Sequence, residues 1–146
     1  DAQPAESADM TAEVARFGTA RHRDWLEANE LRAHHQARFA EFFREHDVLL
    51  CPTAVVPAIP HDHREPMAIR TIEVSGAQAP YNQLIGWIGT ATMAHLPATT
   101  APVGRTPAGL PIGVQIVGPY LEDRTTIDVA RRLADVVGGY ESPPGY

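Results

Sequence analysis

At 146 residues and 44% apolar content, the chain has the size of one ordinary domain and enough greasy side chains to bury a core. Its formal charge of −6, with acids and bases interspersed, lacks the clustered basic stripe that tracks phosphates, so nucleic acid is not an expected partner. The longest greasy run, Val48 to Ile59, is broken by Pro52 and Pro57 and falls short of the roughly 20 residues a membrane helix needs, so no membrane span is expected.

The chain reads as a single region in three stretches: 1–22, a lead-in with a first helical segment; 23–66, a long helix, a strand and a Pro-rich loop; and 67–146, strands with helices. Asp1 to Asp9 is small and polar, a poorly ordered lead-in without the basic and apolar segments of a signal peptide. Between about Arg23 and His46, Leu26, Leu31, His35, Phe39, Phe42 and Phe43 recur at helical spacing and predict one buried face. Arg32, Arg38, Glu41, Arg44 and Glu45 then fall mostly on the wet side. Val48-Leu49-Leu50 is a continuous apolar triplet, as in a strand buried on both faces, and Pro52 ends it.

Between Pro52 and Pro66 four prolines interrupt any periodicity, which predicts a long loop that crosses a surface or lines a cleft. Met67 to Val74 alternates as a strand. Tyr81 to His95 carries Leu84, Ile85, Trp87, Ile88, Ala91, Thr92 and Met93, a short helix expected to be buried nearly all round. Gly86 and Gly89 weaken it by about 1 kcal/mol each relative to alanine, so it needs neighbours to hold it. Leu96 to Gly104 and Gly109 to Gly118 read as two strands joined through Arg105-Thr106-Pro107-Ala108-Gly109, where Pro107 presets a turn and Gly109 can take a positive φ. Glu122 to Val137 is the clearest helix, with Ile127, Ala130, Leu133, Ala134 and Val137 as its stripe. Glu122 and Asp123 stand at its positive end, Arg131 and Arg132 toward its negative end, and Gly138-Gly139 stops it. The tail from Tyr140 to Tyr146 is expected to be extended. No repeat or low-complexity tract is present.

Candidate chemistry is sparse. The chain has no lysine, and Ser7, Ser75 and Ser142 are isolated, none of them in a Gly/Ser-rich run. Cys51, the lone cysteine, cannot form an internal disulfide, which fits a reducing compartment and makes a cytoplasmic location the default expectation. After three apolar residues it reads as a small hydrophobe rather than a nucleophile. His61-Asp62-His63 could present alternate side chains to a metal, but a third or fourth ligand at firm spacing is missing and the bland reading is polar loop. His34 and His35, adjacent on a helix, diverge by about 100° and do not share a metal readily. Trp87 and Tyr120 read as packing aromatics, and Arg105 as a solvated turn residue. No cofactor or metal is assigned.

One ordered set stands out: helix, Asp47-Val48-Leu49-Leu50-Cys51-Pro52-Thr53, a small-residue helix, Leu96-Pro97-Ala98, Gly109-Leu110-Pro111-Ile112-Gly113-Val114-Gln115, an acidic loop and a last helix. From about Arg23 to Gly139 this order resembles the carboxyl-terminal third of amidase-signature hydrolases. The resemblance implies an α/β fold, a mixed β-sheet flanked by helices. It makes 47–53 the strand leading into the cleft and Tyr81 to Thr92 the lining of the acyl-side pocket. Tyr81, Leu84, Ile85, Trp87, Ile88, Thr92 and Tyr120 become pocket candidates, with Trp87 and Ile88 as apolar wall and Pro119-Tyr120 as rim. Where many members carry Asn-Leu-Ala-Gly before their Leu-Pro, this chain has Thr92-Met93-Ala94-His95, so a side-chain hydrogen bond tied to that Asn has no counterpart.

The family's chemistry is acyl transfer to serine, which needs a base for the hydroxyl proton and N–H donors for the oxyanion. The resemblance gives these tasks to a Ser-Ser-Lys set and a Gly/Ser-rich loop upstream, so no catalytic residue is assigned here and the chain alone is expected to be inactive. The expected partners are the remaining amino-terminal part of an amidase and a small-molecule amide, with self-association expected of the isolated chain. A free-standing truncated module for binding or assembly, pairing through an exposed sheet edge, stays open as a rival, as does a metal-dependent hydrolase using His61 and His63.

Overall fold

A computed structural model describes residues 15–143 and 145; the lead-in expected at Asp1 to Asp9 lies outside them, as do Pro144 and Tyr146 of the tail. Helix α1 spans His22–Phe42 and opens where the Asp24 carboxylate accepts the Arg21 N–H at 3.1 Å. Strand β1 (Leu49–Pro52) follows, and after the long irregular loop and a 3₁₀ turn at Met67–Ile69 come β2 (Thr71–Val74) and β3 (Ala77–Pro80). A 3₁₀ turn at Tyr81–Ile85 leads to helix α2 (Ile88–Ala94), then β4 (Ala98–Arg105), β5 (Pro111–Val117) and helix α3 (Asp123–Val137).

Strands β1, β5 and β4 lie side by side in that order, all antiparallel, and β2 and β3 form a separate hairpin. Directly opposed residues of an antiparallel pair share a face. Leu50, Ile116 and Thr99 therefore point to one side of the sheet, and Cys51, Gln115 and Thr100 to the other. Helix α3 covers the first side along β4. There the Thr126 hydroxyl donates to the Asp123 carbonyl at 2.8 Å and receives the Thr99 hydroxyl at 2.8 Å. On the second side Cys51, Ala91 and Val117 form the core, joined by Phe43, Leu49 and Leu96, and the Gln36 amide of α1 donates to the Ala94 carbonyl of α2 at 3.3 Å. The result is a small sheet between α3 and the α1–α2 pair, an α/β arrangement as expected. Every described pairing is antiparallel, so parallel members of a mixed sheet are not found among the described residues.

The β4–β5 hairpin forms as expected, closed by Gly109 at φ +82° and by the Gly109 N–H donating to the Thr106 carbonyl at 2.8 Å. Helix α3 also stands where its stripe predicted, ending at Gly138 in the left-handed conformation. Its buried face is centred on Thr126, however, and Ile127 is exposed, because β4 meets the helix one residue earlier than the apolar pattern suggests. Arg131 and Arg132 pair with Asp128 at 3.0 and 2.7 Å rather than with the helix end.

Other expectations of burial fail for one reason. The strand expected to be buried on both faces buries Cys51 and exposes Leu50, since α3 sits over β4 and leaves β1 uncovered on that side. The long helix has no fully buried residue; Leu26 and Leu31 are exposed, while Arg32, expected on the wet side, is half-buried beside His35, Phe39, Phe42 and Phe43. The helix expected at Tyr81 to His95 divides at Gly86-Trp87 and buries only Ala91 and Ala94, with Ile85, Trp87, Ile88, Thr92 and Met93 exposed. The helix ends at His95, which occupies the left-handed position at φ +56°, where glycine would carry no steric penalty. The strand expected over Met67 to Val74 begins only at Thr71, and β3 has no forewarning in the sequence, because Ala77-Gln78-Ala79-Pro80 has no β-branched residue. The Ser75-Gly76 turn, with φ +53° and +81°, is what folds it back.

Candidate functional site

The loop after β1 builds one wall of a cavity of about 530 Å³; Leu84 and the first residues of β5, Pro111 to Gly113, complete it. Pairing stops at Pro52, the last residue of β1; beyond it Pro57 and Pro60 lack the N–H of a strand, and side chains of the loop, among them Val55, Val56 and Ile59, line the space instead. The loop is stitched down at its start, where the Thr53 hydroxyl donates to the Gly113 carbonyl at 3.3 Å. A Cβ on Gly113 would meet the Thr53 Cγ2 at 3.6 Å and the Thr100 Cγ2 and Ala101 carbonyl at 3.4 Å, ordinary van der Waals distances.

The far end of the same loop is held by arginines. Arg64 grips Asp62 through Nε and Nη2 at 3.0 and 2.7 Å, and this hydrogen bonding lowers the Asp62 carboxyl to about 2. The Arg70 side chain, 14% exposed, donates from Nε to the Arg64 carbonyl at 2.7 Å and from Nη2 to the Glu65 carboxylate at 2.6 Å. Its guanidinium carbon also lies 5.8 Å from the Tyr81 ring centroid, and the Tyr81 N–H donates to the Arg70 carbonyl at 3.1 Å.

Behind the cavity, Gln115 at the centre of β5 is buried, and its Nε2 donates to the Cys51 Sγ and to the Trp87 carbonyl, both at 3.3 Å. One carboxamide thus ties β5 to β1 and to the start of α2. Gln115 closes the Gly109 to Gln115 motif without a role being legible for it there, and Arg70 does not stand out in the sequence. The signal available for Gln115 is a polar residue at an inward position of an otherwise apolar strand.

Of the pocket candidates, Leu84 lines the cavity and Tyr81 anchors the segment that carries it. Ile85, Trp87, Ile88 and Thr92 are exposed on the following turn and α2. Tyr120 stands apart, on a second cavity of about 650 Å³ shared with Gln36, Phe43, Leu96 and Glu122. The structure therefore does not gather the seven candidates around one cavity. Cys51 is buried and faces Gln115, and Ser75 sits at the tip of the β2–β3 hairpin. Among the described residues no three His, Cys, Asp or Glu side chains gather where a metal could bind; Asp62 is committed to Arg64, with the His61 and His63 rings 5.8 Å apart. The cavity is a half-open, mostly apolar concavity with the Thr53 hydroxyl, bonded to the Gly113 carbonyl, and no charged or titratable side chain on its lining.

Comparison with known proteins gives a consistent picture. The Amidase family model matches residues 7–127. The chain is 29% identical to a fatty acid amide hydrolase of Medicago truncatula over 94% of its own length and 22% of that protein's. It is 33% identical to a glutamyl-tRNA(Gln) amidotransferase subunit of Granulibacter bethesdensis over 75% of its own length and 20% of that protein's. Among solved structures, a crystal structure of an amidase superposes with a TM-score of 0.71 at 22% identity, covering 86% of this chain and 27% of that one. The glutamyl-tRNA(Gln) amidotransferase subunit from Thermotoga maritima gives 0.61 at 22% identity, covering 88% and 25%. The chain thus spans about a fifth to a quarter of the length of the relatives it matches.

Proposed function

The chain belongs to the amidase family, and on that premise we propose that it is the carboxyl-terminal segment of a serine-dependent amidase, shaping the pocket for a small carboxylic amide whose Ser-Ser-Lys machinery lies in the remaining, amino-terminal part. The observation that carries the pocket reading is the apolar cavity between the 53–59 loop, Leu84 and Pro111 to Gly113. Such an apolar wall, closed by the amino-terminal part, desolvates the apolar portion of a substrate. The absence of lysine and of a Gly/Ser-rich run supports placing the nucleophile and its base elsewhere.

In this reading the exposed side chains of Ile85, Trp87 and Ile88 face the amino-terminal part, and Trp87 with Leu84 forms wall rather than machinery. A wall contact made equally in ground and transition states governs KM and leaves kcat largely alone. The test is Trp87→Ala in the polypeptide that joins this chain to its amino-terminal part, profiled on amides of graded acyl size after folding is verified. KM should rise by about ten- to two-hundred-fold for the bulkiest preferred substrate, the equivalent of about 1–3 kcal/mol for a lost apolar contact, and hardly change for the smallest. A common drop in kcat for every substrate, with KM unchanged, would remove Trp87 from the pocket.

A further inference from the structure

We propose that Arg70 is the positioning residue of the cavity's loop wall: it clamps the far end of the 53–66 loop to Tyr81, and so fixes the separation between that loop and Leu84. The consequence for substrate rests on the pocket reading above, whereas the clamp itself does not.

The geometry is that of a fork used on three sides. A guanidinium presents several N–H donors in one rigid plane and stacks on aromatic faces, which an ammonium cannot do together. Arg70 directs Nε to the Arg64 carbonyl and Nη2 to the Glu65 carboxylate, and holds its guanidinium carbon over the Tyr81 ring at 5.8 Å from the centroid. The backbone of the same residue receives the Tyr81 N–H. Residues 64–65, five positions beyond the last cavity-lining residue Ile59, and Tyr81, three before the lining residue Leu84, are thereby both tied to one residue. Thr53 holds the near end of the loop to β5 by a single hydroxyl, which leaves Arg70 to hold the far end.

Locality decides what the clamp does. The Glu65 side chain is 75% exposed, and the Arg64 carbonyl belongs to an exposed residue, so both regain water if Arg70 is removed. The sheet core of Cys51, Ala91 and Val117 does not include the clamp. Loss of Arg70 should release the loop without opening the sheet, the behaviour of a locally unfolding unit.

Hydrogen–deuterium exchange of the full 146-residue chain tests this without any ligand, comparing Arg70→Met and Arg70→Lys with the parent sequence. In Arg70→Met, the hydrogen-bonded amides at the loop's far end, Arg64, Ile69 and Tyr81, should exchange about tenfold faster while those of β4, β5 and α3 change less than about twofold. Arg70→Lys, which keeps the charge and loses the fork, should fall between. NMR of the arginine Nε–H groups adds a signature on the unsubstituted chain: the Arg70 Nε–H should exchange with water more slowly than that of Arg23. Should Arg70→Met fail to fold, Tyr81→Leu keeps the loop sequence and should speed its exchange by about threefold. Unchanged loop exchange in these variants, a uniform rise across sheet and loop alike, or an Arg70 Nε–H as fast as that of Arg23 would each overturn the clamp. A substrate profile insensitive to both Leu84→Ala and Trp87→Ala would overturn the pocket and leave the clamp standing.

Discussion

Asp62 is the residue whose surroundings change its chemistry most clearly. Hydrogen bonds from the Arg64 side chain and backbone hold its carboxyl at about 2, against an ordinary value of 3.8. The folded value lies below the unfolded one, so Asp62 binds a proton more readily in the unfolded chain. Its contribution to stability is therefore fully present above about pH 3.8 and fades as the pH falls toward 2. NMR titration of the side chain should place the midpoint near 2, and Arg64→Ala should return it toward 3.8; a midpoint that ignores Arg64 would contradict the pairing. The sequence offers His61 and His63 as alternate side chains without a third ligand at firm spacing, and the fold adds that the intervening Asp62 is paired with Arg64. Gln115 and Arg70 teach the converse. Both are ordinary polar residues in sequence, and their roles arise from partners 28 positions away for Gln115 and 11 for the Tyr81 N–H that meets Arg70, distances that no local pattern encodes.

At the scale of elements, legibility follows how far each element depends on its own residues. The β4–β5 hairpin and α3 are readable because turn glycines and helical spacing are local properties, and both appear where they are expected. Burial is not, because periodicity tells which side chains are apolar and not whether a neighbour exists to cover them; Leu50, Trp87 and Ile127 are cases in point. The packing of α3 on the sheet rests on a close approach that can be tested. A Cβ on Gly118 would stand 2.5 Å from the Thr126 Cγ2, and Thr126 is buried with both hydroxyl bonds in place. Gly118→Ala should destabilise the chain by about 1–3 kcal/mol in denaturant unfolding, the usual cost of overpacking. Adding Thr126→Ser, which deletes the methyl and keeps the hydroxyl, should recover part of the loss. If the double substitution is no better than the single one, the contact is not what fixes α3.

Over the whole molecule, seven apolar residues are buried among those described, whereas nineteen large apolar side chains are exposed. So incomplete a core, in a chain spanning about a quarter or less of its relatives, is what a segment of a larger fold presents when viewed by itself. The isolated chain should accordingly self-associate, with light scattering showing mass that grows with concentration; a compact monomer at every concentration would count against this. No described helix is long and apolar enough to cross a membrane, so lipid does not account for the exposed surface by a helical span. The proposal that catalysis resides elsewhere comes down to complementation: amide hydrolysis is measured for the purified chain, for the amino-terminal part carrying Ser-Ser-Lys, and for the two combined. Neither part alone should turn over amide, and the mixture or the joined polypeptide should. Hydrolysis by the purified chain alone that vanishes on Ser75→Ala or Cys51→Ala, or a joined polypeptide with no activity, would contradict this division of labour.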